Sequence, residues 1–161
     1  MGNVNESSMG KDLGVLSNEI TYRKYLMERI NLKNLYRNIS VIDYNAMQAI
    51  MRLNERYEES EKIYLRDIAQ ELKQPIDRVS QMIGKLRDKG MIKWTHDGKG
   101  EKGTYIQITD RGVSVVEEQH EVLKRFYARV MERYGKDKFI QMLSMISELE
   151  DIMNDESEKF E

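Results

Sequence analysis

Apolar residues between Ile63 and Gly112 recur first at helical and then at strand spacing. Intervals of three and four residues predict a short amphipathic helix over residues 64–72, with an apolar face of Leu65, Ile68, Ala69 and Leu72. The same intervals return over residues 75–89 and predict a second helix, whose inward face carries Val79, Met82, Ile83 and Leu86. Two short helices therefore follow each other closely.

Pro75 separates the two helices. A residue that precedes proline is pushed out of the helical region, so the first helix should end before Gln74. Proline also suits the first position of a helix, where its missing N–H would go unpaired anyway. Gly90 is expected to end the second helix. The segment is therefore predicted to be a helix-turn-helix.

A β-hairpin is predicted directly after it. Strand-like residues 91–95 and 104–109 flank a polar, glycine-containing tip over residues 96–103. The tip contains Gly98-x-Gly100-x-x-Gly103, the spacing of dinucleotide-binding loops, but no helix N-terminus follows to hold a pyrophosphate. We interpret it as the flexible tip of a wing. A helix-turn-helix with a wing can place its second helix in a DNA major groove.

The rest of the chain has helical periodicity. Ser17 is expected to cap a helix that runs to about Asn38, and two more helices are expected after Thr109 and Gly135. These terminal helices have more apolar surface than a winged helix could cover, so a two-fold helical dimer is favoured over a monomeric bundle. The predicted organisation is a disordered tail (1–16), a helical dimerisation region (17–39 and 113–154), a winged helix-turn-helix domain (40–112) and an acidic tail (155–161).

The order and spacing of these elements resemble the MarR (multiple antibiotic resistance regulator) family of bacterial winged-helix transcription factors, over roughly residues 17–154. The resemblance is carried by Asp43 opening a helix that continues with Met47, Ile50 and Leu53; by Ile68-Ala69-x-x-Leu72; by Val79-x-x-x-Ile83-x-x-Leu86-x-x-x-Gly90-Met91-Ile92; and by Ile108-Thr109-x-x-Gly112. The aspartate and arginine often present at the family's wing tip are here Gly100 and Lys102.

The resemblance implies a homodimer that presents two recognition helices to one pseudo-palindromic DNA site. It also implies a cleft for a small aromatic or lipophilic effector, which would involve Tyr22, Tyr25, Met47 and Met51. Ordinary core packing is the alternative for most of the 11 methionines.

The net charge of −2 is distributed unevenly. Residues 1–61 carry −1, residues 62–111 carry +4 and residues 112–161 carry −5. The positive charge thus lies in the winged-helix segment, where contact with phosphates would need it. A chance fluctuation in a charge-rich chain is the alternative, and the helix-turn-helix pattern favours DNA.

Several function classes find no support in the sequence. The absence of cysteine excludes disulfides, thiolate sensing and zinc-finger ligation. His96 and His120 lie far apart, without a metal-binding motif beside either. We therefore expect no enzymatic activity, metal or cofactor. No apolar run reaches the roughly 18 residues of a membrane span, and the N-terminus lacks a basic and then apolar signal, so a cytoplasmic protein is expected.

We predict a mostly α-helical winged helix-turn-helix protein with N- and C-terminal dimerisation helices, acting as a transcriptional repressor. Arg78 lies in the first turn of the second helix with no carboxylate at its helical neighbours, which favours base reading over a surface ion pair. The residues expected near base edges are Ile76, Arg78, Ser80 and Gln81. Those expected at phosphates are Lys85, Lys93, His96, Lys99 and Lys102.

The alternative function is a winged-helix module that binds a protein partner and does not read DNA. Asp77 near the exposed start of the second helix, the net acidity and the missing wing arginine favour it. The local charge of +4 opposes it.

Overall fold

The computed structural model describes residues 13–58, 62–96 and 104–160. These residues form two compact units that divide between Arg37 and Asn38. Within the described ranges, no helix combines the length and apolar character that a membrane crossing requires.

The first unit contains helix α1 (Leu13–Glu28) and a short 3-10 helix (Lys33–Leu35). The prediction that Ser17 caps a helix reaching Asn38 is wrong at both ends. Ser17 lies inside α1, where its hydroxyl donates to the carbonyl of Gly14 at 3.0 Å. A serine can satisfy its hydroxyl in this way within a helix. Asparagines follow the end of α1, and such residues favour turns over continued helix.

The second unit is a winged helix followed by two long helices, which confirms the predicted fold class. Its elements are α2 (Val41–Arg56), α3 (Leu65–Glu71), α4 (Ile76–Asp88), β1 (Ile92–His96), β2 (Thr104–Ile108), α5 (Asp110–Tyr134) and α6 (Lys136–Lys159). The two strands pair antiparallel, from Ile92 opposite Ile108 to His96 opposite Thr104. The N–H of Ile106 also donates to the carbonyl of Ile63 at 2.9 Å, which adds a one-residue bridge beside β2.

The core lies where α2 crosses the other elements of the winged helix. Met47 and Ile50 of α2 have no exposed surface, and the same holds for the inward residues Ile68, Val79, Ile83 and Leu86 of α3 and α4. Burial of each such side chain stabilises the fold by about 1.5–3 kcal/mol. Burial also raises the pKa of the Tyr44 hydroxyl, against a hydrogen bond with Gln48 that lowers it.

Helices α3 and α4 end with the same hydrogen-bond pattern. After α3, Lys73 has φ 50°, and the N–H of Gln74 donates to the carbonyl of Ala69 at 3.0 Å. After α4, Gly90 has φ 70°, and the N–H of Met91 donates to the carbonyl of Leu86 at 3.0 Å. Both are Schellman ends, in which a left-handed residue lets the chain reverse. The role of Gly90 was predicted, whereas a lysine in this conformation could not be read from the sequence.

Pro75 is not the first residue of α4, as predicted, but precedes the helix by one position. It is the N-cap of α4, with ψ 140°, and α4 begins at Ile76. Its carbonyl accepts hydrogen bonds from the N–H groups of Arg78 and Val79, both at 3.1 Å. The fixed φ of proline suits this capping position as well as the first helical one.

The last helix is longer than predicted. We expected it to give way to a tail at residue 155, yet α6 continues to Lys159. Lys159 pairs with Glu156 at 3.2 Å, one helical turn away. A cation in the last turn also interacts favourably with the helix dipole. Local charge pairing therefore favours helical structure in the acidic segment.

Gly112 in the first turn of α5 is required by a close approach. A Cβ at this position would lie 2.1 Å from the carbonyl oxygen of Met91 and 2.9 Å from Cε of Met47. The nearer atom belongs to the backbone, which cannot rotate away. We therefore expect Gly112→Ala to destabilise the protein by about 1–3 kcal/mol or more, measured by urea denaturation.

Gly84 in α4 is the matched control, because a Cβ there would meet nothing within 4 Å. Gly84→Ala should leave stability unchanged or raise it by about 0.5–1 kcal/mol, as alanine is the better helix former. Equal effects of the two substitutions would contradict the close approach at Met91.

Candidate nucleic-acid interface

Helix α4 has one buried face and one exposed side. Val79, Ile83 and Leu86 are buried, and Arg78, Gln81 and Lys85 share the exposed side. Of the other residues predicted to approach base edges, Ile76 is 49% exposed at the start of the helix, whereas Ser80 is half-buried. Arg78 and Gln81 thus lie on one exposed side of α4, Ile76 lies at the start of the helix, and Ser80 is turned partly inward.

Arg78 has a neutral neighbour. Its Nη1 donates to Oε1 of Gln74 at 3.2 Å, and both side chains are exposed. The guanidinium carries five N–H donors, so most of them stay available for an acceptor outside the chain. Asp77 lies in the first turn of α4, where a carboxylate interacts favourably with the helix dipole.

The predicted phosphate contacts of the wing are described only in part. Lys93 is exposed on β1 and lies opposite Gln107 of β2. His96 ends β1, opposite Thr104. Lys99 and Lys102 lie outside the described residues, so their contacts stay predictions.

Two cation–aromatic contacts were not foreseen from the sequence. The Arg87 guanidinium of α4 lies 4.8 Å from the ring centroid of Trp94 on β1. Lys62 Nζ lies 4.6 Å from the ring centroid of Tyr105 on β2. Such contacts stabilise by about 0.5–1 kcal/mol when exposed. The first one joins α4 to the wing, and no periodicity within a single element could indicate it.

The C-terminal end of α4 is held by a carboxylate from another helix. Asp43, in the first turn of α2, is 5% exposed and accepts a hydrogen bond from Lys89 Nζ. Lys89 is the C-cap residue of α4. The Asp43 N–H in turn donates to the Ser40 hydroxyl at 3.0 Å, which caps α2. The sequence identified Asp43 as a helix-opening residue but not as a partner of α4.

Thr109 holds Gly90 and Met91, the residues that follow the C-cap of α4. Its hydroxyl donates to the carbonyl of Gly90 at 2.7 Å and accepts from the N–H of Gly112 at 3.1 Å. Its own N–H donates to the carbonyl of Met91 at 3.0 Å. The residue that caps α5 therefore also fixes the chain as it leaves α4.

The four predicted effector residues are divided between the two units, and their common role stays a prediction. Met47 is fully buried in the core of the second unit, and Tyr22 and Tyr25 are exposed on α1 of the first unit. Met51 lines an open groove of about 410 Å³, together with Asn54, Glu55, Gln107, Ile108 and Val113. A groove of this volume is large enough for a small organic molecule. Within the described ranges, no group of three or more His, Cys, Asp or Glu side chains could hold a metal ion.

Solved structures with the same architecture include transcriptional regulators. No protein-family model and no curated protein matches this sequence. The organohalide-sensing regulator RdhR, solved with bound 2,4-dichlorophenol, is 17% identical with a TM-score of 0.68, over 94% of this chain and 86% of that one. The MepR–DNA complex from S. aureus is 15% identical with a TM-score of 0.58, over 88% of this chain and 96% of that one.

A third structure gives the family by name. It is a MarR family protein from Bacillus stearothermophilus, 16% identical with a TM-score of 0.56, over 94% of this chain and 99% of that one. At such identities the similarity establishes the fold. The chain therefore has the winged-helix fold of MarR-type transcriptional regulators.

Proposed function

We propose that the protein is a DNA-binding transcriptional regulator that binds a pseudo-palindromic operator as a homodimer. The observation that carries the proposal is the exposed side of α4, where Arg78, Gln81 and Lys85 lie together on the second helix of a helix-turn-helix. In this motif the start of the second helix approaches base edges, while lysines contact phosphates. The charge of +4 over residues 62–111 supports the proposal, and MepR has been solved on DNA.

Binding as a dimer is supported by apolar surface that the single chain leaves uncovered. None of the residues of α6 is buried, and its large exposed apolar side chains are Ile140, Leu143, Met145, Ile146, Leu149, Ile152 and Met153. Helix α1 likewise has no buried residue, with Leu13, Ile20 and Met27 among its exposed ones. Exposed apolar patches of this extent mark association surfaces. A second copy of the chain would cover them.

Regulation by a small lipophilic effector is a further part of the proposal. RdhR was solved with 2,4-dichlorophenol, and PcaV from Streptomyces coelicolor with its natural ligand. In this chain, the groove beside Met51 lies between α2, β2 and α5 and offers an apolar floor for such a molecule.

A ligand of this groove should release the protein from its operator in a fluorescence anisotropy titration. Repression, rather than activation, is proposed on the family resemblance alone.

The test of the function is selection of binding sites from random duplex DNA by the purified protein. We expect enrichment of an inverted repeat, because a two-fold dimer presents the same helix to two half-sites about one helical turn apart. An enriched sequence without a repeat would remove the dimer from the proposal. No enrichment would favour the alternative, a protein-interaction module, for which the exposed Asp77 on α4 is the supporting observation.

The dimer is tested by a charge placed on the apolar face of α6. Ile146→Glu should shift the protein from about twice the chain mass of 19.1 kDa toward the monomer in sedimentation equilibrium, because a buried unpaired carboxylate is costly. Ser144→Glu on the same helix is the matched control, since Ser144 lies on the opposite, polar side. A wild-type protein that sediments as a monomer at micromolar concentration would remove the two-half-site arrangement.

Arg78 is expected to read one base pair in each half-site. An arginine bidentate to guanine contributes about 1–3 kcal/mol of discrimination, so Arg78→Ala should abolish preference at one position and leave folding intact. Lys85→Ala is the comparison, and it should weaken all sequences alike and lower the salt dependence by roughly one unit for each phosphate that is no longer neutralised. Titrations of the selected duplex and its single-base variants measure both effects. If Arg78→Ala keeps the wild-type preference and affinity, α4 is not placed as proposed.

A further inference from the structure

We propose that Asp43 is a positioning residue of the DNA-binding surface. Through Lys89, its buried carboxylate fixes the C-terminal end of α4 and thereby the angle at which α4 meets DNA. Neither residue is among those expected to touch a base. This inference rests on the proposed DNA-binding function. It assigns a part of that function to a residue of α2, a helix that packs against α4.

The burial of Asp43 makes the contact with Lys89 specific. The residue is 5% exposed, whereas the Lys89 side chain is 49% exposed. An ionised carboxylate that is removed from water is stable only when it is paired and hydrogen-bonded. The backbone of Asp43 is fixed as well, because its N–H is held by the hydroxyl of Ser40 at 3.0 Å. The carboxylate is therefore a fixed acceptor for the more exposed lysine.

The hydrogen bonds of Thr109 hold Gly90 and Met91, beyond the end of α4. Within α4, the contacts of the inward side chains with the core lack direction. They are made by Val79, Ile83 and Leu86, which are aliphatic and fully buried. Apolar packing fixes how deeply a helix lies in the core but depends little on direction. Small rotations and shifts of the helix are therefore resisted only by the shape complementarity of the packed side chains. A charge-assisted hydrogen bond at one end adds a directional restraint. The base-facing turns lie at the other end of α4. A small rotation of the helix about its Lys89 end would displace these turns the most.

A competing explanation makes the opposite prediction. If Lys89 were simply a phosphate-binding cation and Asp43 its counter-ion, removal of the carboxylate would free a positive charge near the DNA. Affinity for every duplex would then rise, and its salt dependence would increase. If Asp43 positions α4, the same substitution should weaken the selected operator and leave non-specific binding almost unchanged. The sign of the effect therefore separates the two explanations.

The experiment compares Asp43→Asn with Asp88→Asn. Asp88 is the matched control, because it lies at the same end of α4 but is exposed and pairs with Arg87 at 2.8 Å. Affinities for the selected duplex and for a scrambled duplex are measured over a range of salt concentrations. Asp43→Asn should lower the ratio of specific to non-specific affinity by about tenfold, a small part of the range over which such proteins discriminate. Asp88→Asn should raise both affinities slightly and keep the ratio.

A second variant covers the case in which Asp43→Asn does not fold. Replacement of both partners, in Asp43→Leu with Lys89→Met, removes the charges together and is tolerated far better than removal of one. This protein should fold, dimerise and still lose the specificity ratio. The fluorescence of Trp94, the one tryptophan of the chain, gives an independent readout, since its ring contacts Arg87 of α4 and should report a displaced helix.

The outcomes distinguish this inference from the proposed function. Wild-type protein that selects a sequence, together with a folded Asp43→Asn or double variant that keeps the wild-type ratio, would overturn the positioning role alone. Tighter binding of Asp43→Asn to both duplexes would establish the counter-ion explanation instead. Wild-type protein without any sequence preference would overturn the proposed function, and the inference with it.

Discussion

The close contact between the start of α5 and the backbone at Met91 is the constraint on which the winged helix depends. At this point the chain has just left α4 and is about to enter β1, so it must reverse direction within three residues. Gly90 makes the reversal possible through its left-handed φ of 70°. Gly112 then lets α5 approach the Met91 carbonyl more closely than any side chain would allow. This one contact region therefore fixes the positions of α4, the hairpin and α5 relative to one another.

The hydrogen bonds of Thr109 hold the same junction together. One hydroxyl caps α5 and binds the carbonyl of Gly90, so a helix that began elsewhere would no longer be tied to α4. Asp43 adds a restraint from α2 at the neighbouring Lys89. The groove beside Met51 is lined by Ile108 and Val113, which are the chain neighbours of Thr109 and Gly112 in this junction.

The sequence predicted the parts of this fold that depend on local chemistry. Helical spacing located α3 and α4, Gly90 located the end of α4, and the β-branched residues around the glycine-rich tip located the hairpin, each within a residue or two. It failed where the deciding contact lies far along the chain or is compatible with several conformations. Ser17 can cap a helix or lie inside one, and only the structure shows the second.

The candidate site divides in the same way. The exposed positions of Arg78 and Lys85 follow from the periodicity of one helix, so the sequence was sufficient to predict them. The pairing of Asp43 with Lys89, and the contact of Arg87 with Trp94, connect separate elements and leave no periodic signal. The full burial of Met47 depends equally on tertiary packing.

These pairings also change what the local charge can do. Residues 62–111 carry a formal charge of +4, which already counts Asp88, the partner of Arg87. Asp43 lies outside this segment and engages a further cation at the end of α4, Lys89. The cations of α4 that face outward without a carboxylate partner among the described residues are Arg78 and Lys85. Non-specific affinity for DNA grows with the number of phosphates that are neutralised, so in the proposed complex the contribution of α4 to this affinity would be modest. Contacts with base edges would then supply a larger share of the binding free energy. Such a balance makes the orientation of α4 matter more than the total charge of the surface around it.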